Sequence, residues 1–193
     1  MTYYRLNDSQ KEYLHSVVPG LRVSDLGSGD GSLALLMANF GALEVHAVDK
    51  APPPCPVKHK NVKHYNRYFQ EWDPPNHLDL SVVAWPRNMR LAGLIPLLQA
   101  TPQVIYLGKN TDGTACGFPD MFRYLSTRNV IRYLPDRANV MIHYGSDPRL
   151  DANLYHEEMA GIFEDNTHYY CADEDRKIVT DWGVRKPIIE TYP

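Results

Sequence analysis

The sequence predicts an α/β fold: a doubly wound, mostly parallel seven-stranded sheet with an antiparallel C-terminal hairpin. Three observations predict it. Short, β-branched apolar runs alternate with helix-length apolar stretches between residues 21 and 107, as in repeated β-α-β units. The first strand-to-helix junction, Gly27-Ser28-Gly29-Asp30-Gly31, is rich in glycine, and an acid, Asp49, closes the next strand. Residues 130–134 and 138–144 are two apolar runs joined only by Pro135-Asp136-Arg137, which reads as a hairpin.

Residues 7–18 read as a helix. Asn7 or Asp8 can cap it, Tyr13, Leu14, Val17 and Val18 form its apolar side, and Pro19-Gly20 ends it. Tyr3, Tyr4 and Arg5 read as a loosely packed terminus, with a cleft-side position as the alternative. Residues 21–26 form the first strand, and Ser32 is the expected N-cap of the apolar helix that follows. Residues 44–49 are the second strand. Its terminal acid, Asp49, can accept hydrogen bonds from two ribose hydroxyls. The amides of the glycine turn are expected to be bare and to attract an anionic group. Its glycines let a ligand approach the backbone. The ligand expected from these features is nucleotide-like.

Lys50 follows Asp49 and opens a stiff loop that carries Pro52, Pro53, Pro54 and Pro56. Residues 61–66 read as the third strand. Around it lie Lys58, His59, Lys60, Lys63, His64 and Arg67, a basic cluster expected to be a solvated edge, with contact to a phosphate-bearing acceptor as the alternative. Cys55, His59 and His64 lack a fourth ligand and Pro56 crowds the cysteine, so no metal site is expected. Residues 78–84 are the fourth strand, with Trp85-Pro86-Arg87-Asn88 at its carboxyl end, where open α/β sheets bind ligands. Pro86 biases Trp85 toward an extended backbone. Asn88 can cap a helix over residues 89–99, interrupted by Pro96. Residues 104–107 are the fifth strand, and a helix is expected over residues 119–126 before the hairpin.

The run Asp25-Leu26-Gly27-Ser28-Gly29-Asp30-Gly31 resembles motif I of the class I S-adenosylmethionine-dependent methyltransferases. It carries G-x-G-x-G and not the G-x-G-x-x-G of dinucleotide sites, with Asp25 two residues ahead of the first glycine. The resemblance covers residues 21–144 and implies a Rossmann-like fold with S-adenosyl-L-methionine as cofactor. It implies that Asp25 approaches the amino group of the methionine moiety and that Asp49 takes the ribose. The implied cofactor set is Asp25, Gly27, Ser28, Gly29, Gly31, Asp49, Lys50, Phe69 and Trp85. Many family members carry an acid near the adenine amino group. Here Tyr68 and Phe69 stand closest to that place and can stack on the base, with core packing as the alternative. The Trp85 loop resembles motif IV, but Ala-Trp-Pro-Arg lacks the polar first residue that would serve an exocyclic amine. The implied catalytic set is Trp85, Arg87 and Asn88: Trp85 offers a π face to the sulfonium, and Arg87 offers a bidentate hold on an anionic acceptor. Asn88 either accepts from an acceptor amine or caps the helix.

The chain's 193 residues suit a single domain, with a core over residues 21–144 and an acidic extension over 145–193. Residues 1–144 hold twelve acids and fifteen bases, a balance of +3. The remainder holds eleven acids and five bases, a balance of −6. That split, without a long basic stripe, favours a small-molecule or protein acceptor over nucleic acid. The extension is expected to cover the sheet or active site, or to pair with a second subunit. His156-Glu157-Glu158-Met159 is not a zinc motif, because it lacks a second histidine at the required spacing. No apolar run reaches membrane-spanning length, residues 1–5 lack a secretory apolar region, and the three cysteines are isolated. The expectation is a cytoplasmic protein with no membrane partner. Two other readings compete: a nicotinamide-dependent oxidoreductase, which lacks the third-glycine spacing, and a non-catalytic binding or scaffold module of the same fold.

Overall fold

The structure is a computed structural model that describes residues 5–50, 58–86, 91–109, 121, 124–125, 127–136 and 139–145. The proline loop after Lys50, Arg87, Asn88 and the acidic extension from residue 146 lie outside the described residues, as does most of the helix expected over 119–126.

Helix α1 spans Asp8–Val17. Asn7 Oδ1 accepts from the Gln10 amide at 2.9 Å while Gln10 Oε1 accepts from the Asn7 amide at 3.2 Å. This reciprocal cap satisfies two donors that a bare helix start would leave open. Strand β1 (Arg22–Leu26) leads through the glycine turn into α2 (Ser32–Asn39) and back to β2 (Glu44–Asp49). Then come β3 (Val62–Asn66), a 3₁₀ turn over Phe69–Glu71, β4 (Leu80–Ala84) and α3 (Leu91–Gln99). Strands β5 (Gln103–Lys109), β6 (Val130–Asp136) and β7 (Asn139–Tyr144) complete the described elements.

The strands form one sheet in the order β3-β2-β1-β4-β5-β7-β6. β1 to β5 run parallel to one another, and β7 runs antiparallel between β5 and β6. The expected closing hairpin is therefore present, with its second strand inserted next to β5. Connections between parallel strands are right-handed. The crossover from β1 leads to β2 on one side and the crossover from β4 leads to β5 on the other, so α2 and α3 cover opposite faces.

Two apolar layers record this. One contains Leu14 and Val18 from the α1 region and Ala34 and Met37 of α2, packed on Val23, Val45, Leu80, Ile105 and Leu107. The other packs Leu94, Ile95 and Leu98 of α3 on Leu26, Val48, Val83, Val104 and Tyr106. The alternation along β5, Val104 and Tyr106 against Ile105 and Leu107, is the two-residue period of a strand buried on both sides. Each such leucine contributes about 1.5–3 kcal/mol by leaving water. β3 and β6 are the sheet edges, and their burial is correspondingly broken.

Candidate active site

The parallel strands β1, β2 and β4 all end at one edge of the sheet, and strand order reverses between β1 and β4. That reversal opens a crevice at the carboxyl ends. The residues there are the glycine turn, Asp49 and Trp85.

The turn is shaped by glycines with positive φ, among them Gly27 at 84° and Gly31 at 77°. A side chain at Gly31 would suffer twice. The backbone is left-handed, and an added Cβ would stand 3.0 Å from Cε1 of His64 on β3. Gly31, not Ser32, occupies the N-cap of α2 and makes no side-chain cap bond. Asp30 Oδ1 accepts from the Ser32 amide instead, at 3.0 Å. The tightness of the turn places the capping oxygen two residues earlier than expected.

The turn's amides are not bare either. Gly27 and Ser28 donate to the Val48 carbonyl at 2.9 and 3.2 Å, and Gly31 donates to Ser28 at 2.9 Å. The Gly29 amide donates to Asp49 Oδ2 at 2.9 Å. The expectation of an open anion cradle is therefore corrected: the loop spends these donors tying β1 to the end of β2. Such a turn is poorly suited to a pyrophosphate.

Beneath it lies Asp25. Its carboxylate is fully buried, and neither oxygen has a hydrogen-bond partner. Burial pushes the carboxyl up to about 7; Asp49 adds repulsion, the Ala34 amide pulls the other way without closing a hydrogen bond, and Asp30 adds further repulsion. A buried, unpartnered acid is costly and is rarely kept for stability. By strand alternation it shares the α2 face with Val23.

Asp49 ends β2, and its backbone carbonyl accepts from the Arg67 amide at 3.1 Å. This brings the end of β3 alongside. Lys50 is exposed and its Nζ lies 5.8 Å from the Tyr68 ring centroid, while Tyr68 is 51% exposed. Phe69 instead packs against the α3-side core. Of the two aromatics, Tyr68 is the one that faces solvent beside Asp49.

Trp85 follows β4 and its amide donates to the Leu107 carbonyl at 2.8 Å, extending the β4–β5 ladder by one rung. Its φ is 50°. The expectation of an extended Trp85 is thus wrong. The amide is held by β5 while the chain turns into buried Pro86, and the left-handed backbone accommodates both. For a bulky residue this conformation stores about 1–3 kcal/mol. Arg87 and Asn88, the other members of the expected catalytic set, lie outside the described residues.

Two features at this edge were missed in the sequence. His64 packs on Gly31. Tyr106 of β5 stretches its phenol over Gly108, where a Cβ would collide with its hydroxyl. A lone histidine in a basic run and a Tyr-x-Gly in a strand carry no local signal, since both contacts are made across the fold or along one strand face. Among the described residues no group of three or more His, Cys, Asp or Glu side chains could hold a metal. No described helix is long and apolar enough to cross a membrane.

No protein-family model and no curated protein matches the chain. Solved structures do. The chain is similar to the ribosomal protein L11 methylase of Lactobacillus delbrueckii subsp. bulgaricus, with TM-score 0.53, 18% identity, and 74% of this chain against 81% of that one. It is also similar to the 1,6-didemethyltoxoflavin-N1-methyltransferase of Burkholderia thailandensis, solved with bound 1,6-didemethyltoxoflavin and S-adenosylhomocysteine. There the TM-score is 0.55 at 14% identity, over 71% of this chain and 78% of that one. A third is a protein assigned as an RNA methyltransferase from Pyrococcus horikoshii, with TM-score 0.51, 17% identity, and coverages of 73% and 81%. The chain has the class I S-adenosylmethionine-dependent methyltransferase fold. At these identities the likeness concerns the fold, and the three neighbours carry acceptors of three different kinds in their names.

Proposed function

We propose that this chain is an S-adenosylmethionine-dependent methyltransferase acting on a small-molecule or protein acceptor. The observation that carries the reading is Asp25: a buried carboxylate without a partner, directly under a glycine turn at the strand-order switch. It suits an ammonium group. The internally bonded amides of the turn suit a ligand without phosphate, and Asp49 stands at the β2 tip where a ribose would lie.

When bound, the cofactor supplies a methyl group already activated on a sulfonium. The protein's part is alignment and exclusion of water. Asp25 would orient the amino-acid end and Asp49 the ribose. Tyr68 is the better placed aromatic for the base, being exposed beside Lys50. Trp85, held in a strained turn, would present its ring to the sulfonium, a contact of about 0.5–2 kcal/mol. The low net charge of −3 favours a small or protein acceptor. So does the β3 edge, where Lys63 is ion-paired with Glu44 and leaves the cationic surface interrupted.

Calorimetry tests the reading: S-adenosylhomocysteine should bind and NAD should not. Asp49→Ala should raise the dissociation constant at least about tenfold without loss of fold, since charge-assisted hydrogen bonds are worth about 1.5–3 kcal/mol. Tight NAD binding with no response to S-adenosylhomocysteine would overturn it.

A further inference from the structure

We infer that cofactor binding at this site is coupled to release of a proton from Asp25, so that the free protein holds the carboxyl neutral and the bound form holds it ionised. The inference rests on the cofactor reading above and adds a pH control to it.

The geometry requires a choice of charge state. Asp25 is fully buried, and neither oxygen meets a donor. Of the groups around it, only the Ala34 amide favours an anion, and burial with the nearby acids outweighs it. β2 contributes Asp49, the turn contributes Asp30, and α2 contributes only the Ala34 amide. β4 places Val82 beside it in register, and β3 contributes His64, whose ring packs on Gly31. Among the described residues the charges that act on the carboxyl are those of Asp49 and Asp30, both acids. A lone carboxylate in such surroundings takes up a proton instead of staying charged. The value of about 7 reached through burial and Asp49 puts the change within the working pH range of most proteins.

An arriving α-ammonium group reverses the balance, because a paired carboxylate is favoured beside a cation. The O–H bond of the Asp25 carboxyl breaks and its proton passes to solvent. The ammonium keeps its own protons, and no electrons move. Binding that releases one proton strengthens about tenfold per pH unit until the free carboxyl ionises by itself, then levels. Affinity should therefore rise from about pH 5.5 to about 7 and then level, short of the range in which a free α-amino group deprotonates at about 8.

The experiment titrates the full chain with S-adenosylhomocysteine at about pH 6 in buffers of different ionisation enthalpy, and repeats the affinity across the range above. The expected result is release of close to one proton and a dissociation constant that falls about tenfold per pH unit below 7. Asp25→Asn, neutral at every pH, should lose both the proton release and the slope. Infrared difference spectra of the parent protein give a second readout that needs no variant: a protonated-carboxyl band present in the free protein and lost on binding. Binding that is flat with pH, without proton release or band loss, would overturn the coupling while leaving the cofactor reading intact. Absence of binding at every pH would overturn both.

Discussion

Two buried groups make opposite demands on pH. Asp25, with a folded value of about 7, binds a proton more readily in the native state than in the unfolded chain. Its contribution to stability is complete below the unfolded value near 3.8 and is lost as pH rises toward 7. His143 is the reverse. It lies on β7 beneath α1, 2% exposed, its Nδ1 sharing a 2.7 Å hydrogen bond with Tyr13 Oη. Burial depresses it to about 4. Its contribution is complete above the unfolded value near 6.5 and is lost as pH falls toward 4. Between about pH 4 and 6.5 the two slopes oppose each other, each at most about 1.4 kcal/mol per pH unit. Denaturant titrations should show it: relative to the parent, His143→Gln should lose stability as pH rises through this window, and Asp25→Asn should gain it. Parallel curves for all three proteins would refute the assignment.

At the scale of elements, the end of α3 depends on a residue outside the helix. Arg128 donates from Nη2 to the Leu98 and Thr101 carbonyls at 2.8 and 3.1 Å, and from Nη1 to the Pro102 carbonyl at 3.2 Å. Its Nε and Nη2 also reach Tyr124 Oη, at 2.9 and 2.6 Å. A helix C-terminus leaves carbonyls without intrahelical partners and carries partial negative charge, so a guanidinium fork is well matched to it. Arg128→Ala should cost about 1.5–3 kcal/mol in urea denaturation, and Arg128→Lys should recover only part of it, lacking the fork. A loss below half a kcal/mol, on the order of an ordinary surface change, would show that the clamp is dispensable.

For the whole molecule, the order β3-β2-β1-β4-β5-β7-β6 puts the best-buried strands in the middle and leaves β3 and β6 with one neighbour each. Native-state hydrogen exchange should therefore be slowest in β1, β4 and β5 and faster in β3 and β6. The site sits on the slow strands, at β1 and β4, and borrows its partners from β2 and β5. α1 adds a long-range tie, with Gln10 Nε2 donating to the Leu134 carbonyl at 3.2 Å across 124 residues of chain. If β6 proved as protected as β1, a further surface would have to cover that edge.

The doubly wound sheet, its hairpin and the motif at Asp25–Gly31 were legible from residues alone, because strand period, glycine punctuation and capping are local. β2 has the bounds its residues place, while β1 and β4 end where expected but begin one and two residues later. What the residues could not disclose is how local groups are used once the strands pair. The turn's amides look available in the sequence, but β2 lies close enough to take them through Val48 and Asp49. Trp85 before a proline should be extended, but β5 holds its amide while the chain turns away. Asp25 is an ordinary acid until Asp49 and the apolar α2 face surround it and raise its proton affinity. Hydrogen-bond partners, backbone strain and charge state all depend on neighbours distant in the chain, so the tertiary structure alone decides them.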